Sequence, residues 1–73
     1  MDRDWVAYTK GLLRSEMMRK GVNYKGLVER LGAVGIRETE ANLRNKISRG
    51  GFTGAFLIQC LVVMGVTSLR LDD

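Results

Sequence analysis

The sequence predicts an all-α fold, and two observations carry that expectation. Apolar residues recur three and four positions apart in four separate stretches, the spacing that gathers them on one side of a helix. Each stretch opens after Asp, Asn or Thr and stops at a glycine, the residue types that cap helix ends. The expected architecture is a compact four-helix domain with a short extended segment at its C-terminus. At 73 residues the chain makes one domain, 1–73, with a modest core.

The first helix is expected from a cap at Asp2 or Asp4 to about Lys20. Trp5, Val6, Tyr8, Leu12, Leu13 and Met17 give it a broad apolar face, and Arg14, Arg19 and Lys20 load its last turns with cations, where they complement the helix dipole. Gly21 ends it. Asn23 caps a second helix, with Val22 placed as a hydrophobic staple and Leu27, Val28 and Leu31 as the buried stripe. Gly26 inside this helix costs about 1 kcal/mol relative to alanine, a cost expected where two helices cross closely. The helix should end near Val34, followed by a turn, Gly35 to Glu38, in which Ile36 reaches the core.

The third helix is the one around which the rest is organised. Thr39 caps it, Gly50-Gly51 stops it, and Leu43 and Ile47 mark its dry side. The opposite side carries Ala41, Asn42, Asn45, Ser48 and Arg49, with Arg44 and Lys46 on the shoulders. Asn and Arg are the side chains whose paired donors and acceptors match adenine and guanine edges in a DNA major groove. Glu38 and Glu40 at its start suit the helix dipole, and would also repel a phosphate there.

Thr53 caps a fourth helix that lasts to Met64. Phe56, Leu57, Cys60, Leu61 and Met64 recur at helical spacing, while Ile58, Val62 and Val63 occupy the remaining sides. A small monomer cannot hide that much aliphatic surface, so part of this helix is expected to meet a second subunit. After Gly65 the period changes to the alternation of a short strand, Val66 to Leu71. A lone strand in a helical chain needs a partner, and a two-fold copy is the natural one. Val63, Val66, Leu69 and Leu71 are therefore the expected dimer interface, with Trp5 and Tyr8 on the first helix as another seat for a partner. Asp72 and Asp73 read as a solvated end.

Composition narrows the function. The net charge of +4 suits a polyanionic partner. One cysteine and no histidine exclude a disulfide framework within one chain and a Cys/His zinc site, and remove the commonest general base. No paired carboxylates, P-loop or activated nucleophile can be read, so the chain is not expected to be an enzyme, nor to need a metal or cofactor. No apolar run is long enough to span a bilayer, and the N-terminus is unlike a signal peptide, so a cytoplasmic, nucleoid-associated location without membrane contact is expected.

The order helix, helix, turn, helix, glycine stop, apolar helix resembles the lambda-repressor (Cro/C1-type) helix-turn-helix domain. The likeness runs from about Leu12 to Val66. It rests on LLRSEMMRKG (Leu12 to Gly21), NYKGLVERL (Asn23 to Leu31), the I-x-R-G closure at Ile47 to Gly50, and Met64-Gly65-Val66. The run ETEANLRNKISRGGF with its GVxSLRL-type tail is more narrowly similar to a group of small uncharacterised bacterial helix-turn-helix-like domains. In the repressor pattern the segment between helix two and the I-x-R-G closure is shorter. Here either the turn is enlarged or the third helix starts earlier.

The resemblance implies a small bacterial transcriptional regulator acting by promoter occupancy, with the third helix in the major groove of double-stranded DNA. By wheel position Asn42, Asn45, Lys46 and Arg49 would meet base edges. Lys25, Arg37, Arg44, Arg19 and Lys20 would lie near phosphates, helped by the amides at the start of helix two. A homodimer would set two such helices about 34 Å apart, one DNA turn. The competing expectation is a protein-interaction module, antitoxin-like or binding a polymerase or regulator, that uses the same fold and offers its apolar fourth helix to the partner.

Overall fold

Four helices form where the spacing places them. In the computed structural model, which describes residues 4–71, they are α1 (Trp5–Lys20), α2 (Tyr24–Ala33), α3 (Glu40–Arg49) and α4 (Gly54–Val63). The fold is all-α, and no strand occurs among the described residues. The alternative cap Asp2 and the end Asp72-Asp73 lie outside the described residues.

Every helix start is held the same way. Asp4, Asn23, Thr39 and Thr53 sit in extended backbone, and each side-chain oxygen accepts the amide three residues on, from Ala7, Gly26, Asn42 and Phe56 at 2.8–3.1 Å. Each such bond satisfies one of the donors a helix leaves orphaned.

The helix ends are of two kinds. At the ends of α1, α2 and α4 a pair of bonds closes a Schellman motif. Val22, Ile36 and Val66 donate to the carbonyls of Met17, Leu31 and Leu61 at 2.9 Å, while Gly21, Gly35 and Gly65 donate to Met18, Gly32 and Val62. The residue after each glycine is thereby turned inward: Val22 is buried, and Ile36 and Val66 pack against the core. The end of α3 is different. Gly50 makes one bond, to the carbonyl of Lys46 at 3.1 Å, in the left-handed conformation with φ 77°. A Cβ there would lie 2.9 Å from Val6 Cγ1 and 3.1 Å from the Val6 carbonyl oxygen. Only glycine lets the start of α1 come down on the end of α3.

Leu13, Leu27, Leu31, Leu43, Ile47 and Cys60 are fully buried and come from all four helices. α3 and α4 each pack mainly on α1 and α2 and meet each other where Lys46 lies over the Phe56 ring, while α1 and α2 meet where Arg14 reaches the Tyr24 hydroxyl. No helix among the described residues is long and apolar enough to cross a membrane.

Three expectations need correction. The segment after Gly65 is not a strand. Val66 is fixed by the Schellman motif, Leu69 packs against the core, and the Tyr8 hydroxyl donates to the Leu71 carbonyl at 3.1 Å. The segment is a tail laid over its own domain, with Val66 and Leu69, three residues apart, packed on the core and Leu71 left exposed. Gly26 does not serve a helix crossing, since a Cβ there would meet Asn23 Oδ1 at 3.2 Å and Val22 at 3.5 Å; what it leaves room for is the N-cap. The apolar face of α1 is also narrower than expected, with Trp5 61% and Val6 49% exposed.

Candidate nucleic-acid interface

The rotation of α3 is set by its two buried residues, Leu43 and Ile47, one turn apart. Ala41, Asn42, Asn45, Ser48 and Arg49 are consequently exposed on the other side, as the wheel requires, with Arg44 and Lys46 exposed beside them. α3 starts at Glu40, directly after its cap Thr39, and runs to Arg49.

The two shoulders are occupied. On one, Arg44 pairs with Glu40 at 3.6 Å and stands 5.4 Å from the Tyr24 ring centroid. On the other, Lys46 pairs with Glu38 and lies 4.9 Å over the Phe56 ring. The Arg44–Glu40 pair is solvated on both sides and contributes about 0–1 kcal/mol, so Arg44 can leave it at little cost. Glu38 is only 11% exposed, which ties Lys46 more closely to the protein. The carboxylates at the start of α3 thus neutralise its own cations.

The side chains of Asn42, Asn45 and Arg49 make no hydrogen bond or ion pair among the described residues; Asn42 is held through its backbone amide, which donates to Thr39 Oγ1. Asn42 and Arg37 line one open groove of ≈ 610 Å³ over the α2–α3 turn, with Val28, Gly32 and Ile36. Arg49 and Lys46 line a smaller cleft of ≈ 320 Å³ with Phe52 and Phe56. The structure therefore sets Arg37 beside the first turn of α3's outer face and Arg49 at its last turn.

Two cations of α1 join this face, and the sequence reading missed their place. Lys10 donates to the Ser48 carbonyl at 3.1 Å, capping the negative end of α3. Arg14 Nη2 comes within 3.4 Å of Ser48 Oγ and 3.5 Å of the Tyr24 hydroxyl. Their i, i+4 spacing showed a shared side of α1, but what that side meets is a contact between residues far apart in sequence. Arg30 was missed in the same way, since it donates to the Val63 carbonyl at the end of α4.

The remaining expected phosphate contacts are spread out. Lys25 is exposed on the first turn of α2, one position after Tyr24, whose ring stands beside Arg44 and whose hydroxyl faces Arg14. Lys20 is exposed at the end of α1. Arg19 is turned to Glu16, whose hydrogen bond and charge raise the guanidinium pKa further, in a cleft shared with Ser68 and Arg70 of the tail. Of the expected dimer residues, Val63, Val66 and Leu69 pack against the core and Leu71 is exposed.

A family model described as a domain of unknown function (DUF6471) matches residues 5–69, which spans all four helices and the tail as far as Leu69. No significant match was found among curated proteins or solved structures.

Proposed function

We propose that this chain, which belongs to the DUF6471 family, binds double-stranded DNA with the outer face of α3 in the major groove and acts as a small transcriptional regulator by occupying its site. One observation carries the reading. The face bears two amides and a guanidinium, Asn42, Asn45 and Arg49, that are exposed and spend no side-chain bond on the protein among the described residues. These are the groups that read adenine and guanine edges, each good bidentate pair giving about 1–3 kcal/mol of discrimination.

The surroundings suit a polyanion. Arg37 lies beside the first turn, Lys10 and Arg14 beside the last, and Lys25 with the open amides of α2 nearby. In this reading Arg44 exchanges Glu40 for a phosphate, while Lys46 stays with Glu38 and acts as a positioning residue rather than a base contact. The same geometry needs no catalytic group, metal or cofactor.

A second reading, a protein-interaction module, is favoured by one feature: Ile58 and Val62 stand exposed on α4. Fluorescence anisotropy with a random-sequence duplex separates the two. DNA binding predicts that log affinity falls with log salt at roughly −0.9 per phosphate contacted. Absence of binding at low salt would leave the interaction module.

A further inference from the structure

Three helices bring a guanidinium and two hydroxyls to one corner of the molecule. Arg14 of α1 places Nη2 3.5 Å from the hydroxyl of Tyr24, the first residue of α2, and 3.4 Å from Oγ of Ser48 in the last turn of α3. Ser48 is gripped from its other side as well, since Lys10, one turn before Arg14, donates to its carbonyl at 3.1 Å. Arg44, one turn before Ser48, stands 5.4 Å from the Tyr24 ring centroid and takes Glu40 as its carboxylate. Arg14 is exposed and has no ion pair among the described residues.

We infer that Arg14 and the hydroxyls of Tyr24 and Ser48 together form a site for a phosphate group. Each hydroxyl accepts from Arg14 and so still has its own proton to give, and neither donates a bond among the described residues. Both contacts come from one nitrogen of Arg14 and are long for N–H···O, which leaves the other donors of the guanidinium free. An oxyanion seated here receives a charge-assisted bond from Arg14 and one O–H bond from each of two further helices. Lys10 and Arg44 add positive charge beside it.

The arrangement suits phosphate better than carboxylate. A carboxylate is planar and is satisfied by the fork of one guanidinium. A tetrahedral phosphate also presents oxygens out of that plane, where hydroxyls on two other helices reach them. Arg14, Tyr24 and Ser48 all lie outside the phosphate contacts expected from the sequence, because the corner exists only once α1, α2 and α3 are packed. Ser48 shares the exposed side of α3 with Asn45 and Arg49, so a backbone phosphate held here sets the register of that helix on a duplex. A DNA strand as the source of the phosphate rests on the nucleic-acid reading; the site itself does not, since free phosphate offers the same oxygens.

Tyr24→Phe and Ser48→Ala each remove one hydroxyl and leave the charge untouched, so a diffuse positive field predicts no effect from either. In fluorescence anisotropy with an unselected duplex, each should weaken binding roughly three- to tenfold, the scale of one hydrogen bond, at an unchanged slope of log affinity against log salt. Arg14→Gln should weaken it further and flatten that slope by about 0.9. Thermal melts check that the variants are folded. A second arm omits DNA: inorganic phosphate is titrated into the full chain, followed by the nitrogen shifts of the Arg14 side chain and the Ser48 amide. These should saturate in the parent and need several-fold more phosphate in Tyr24→Phe. A duplex bound equally by the parent, Tyr24→Phe and Ser48→Ala would overturn the inference and leave the nucleic-acid reading standing. A parent that ignores the duplex but takes up phosphate, more weakly as Tyr24→Phe, would keep the site and remove that reading. Uptake of neither would overturn both.

Discussion

Gly50 and Gly21 are both left-handed helix-ending glycines, yet the structure gives them different weights. At Gly21, φ 67°, a Cβ would meet nothing within 4 Å; at Gly50 it would meet Val6 and Lys10. Gly21→Ala should therefore cost only the conformational strain, about 1–2 kcal/mol. Gly50→Ala adds the displacement of α1 and should cost about 2–4 kcal/mol. Urea melts of the two variants check this, and equal costs would mean that α1 does not bear on Gly50. The sequence marked Gly50 as a helix stop, but the close approach was hidden, because it joins residues forty or more positions apart.

Cys60 gives a second residue-scale prediction. Burial first, and the charge of Glu38 second, raise its thiol from the ordinary 9.0 to about 11, against a smaller opposing effect of Lys46. The folded thiol thus holds its proton where the unfolded one loses it. Its contribution to stability is complete below pH 9 and is lost as pH rises through about 11. Cys60→Ala should lose less stability than the parent over that alkaline window, measured as the change in urea midpoint. The same burial should keep Cys60 unreactive to thiol reagents near neutral pH.

Among the elements, the helices were legible because their signals are local. Asp4, Asn23, Thr39 and Thr53 act as caps within three residues, and Leu43 with Ile47 fixed the rotation of α3. The tail was misread for the opposite reason. Alternation from Val66 to Leu71 suits a strand, but the Schellman bond at Val66 and the Tyr8 hydroxyl at Leu71 lay the segment on α1. Leu69→Asp should hence destabilise the domain by about 1–3 kcal/mol, whereas Leu71→Asp, on a side chain 66% exposed, should stay within about 0.5 kcal/mol. Thermal melts distinguish them. A harmless Leu69→Asp would restore the idea of a tail reserved for a partner.

For the molecule as a whole, the arrangement separates two surfaces that the sequence had placed on neighbouring elements. α3 turns amides and Arg49 outward; α4 turns Ile58 and Val62 outward; both lean on α1 and α2. Which cations gather round α3 could not be read from the chain. Lys10 and Arg14 reach Ser48 across the fold, while Lys46, expected at a base, is drawn to Glu38 and Phe56. What the sequence did carry was the outer face itself, through the pattern of two aliphatics against two asparagines and an arginine.

The central claim is that this face reads DNA, and one measurement reaches it most directly. A duplex selected from a random pool is titrated by fluorescence anisotropy with the parent chain and with Asn45→Ala/Arg49→Ala, alongside an unselected duplex. Both residues are exposed, so the variant should melt within about 0.5 kcal/mol of the parent. It should lose its preference for the selected duplex, by roughly five- to 150-fold for each bidentate contact removed, and keep most of its weak affinity for the unselected one. A variant that still prefers the selected duplex as strongly as the parent does would contradict the account.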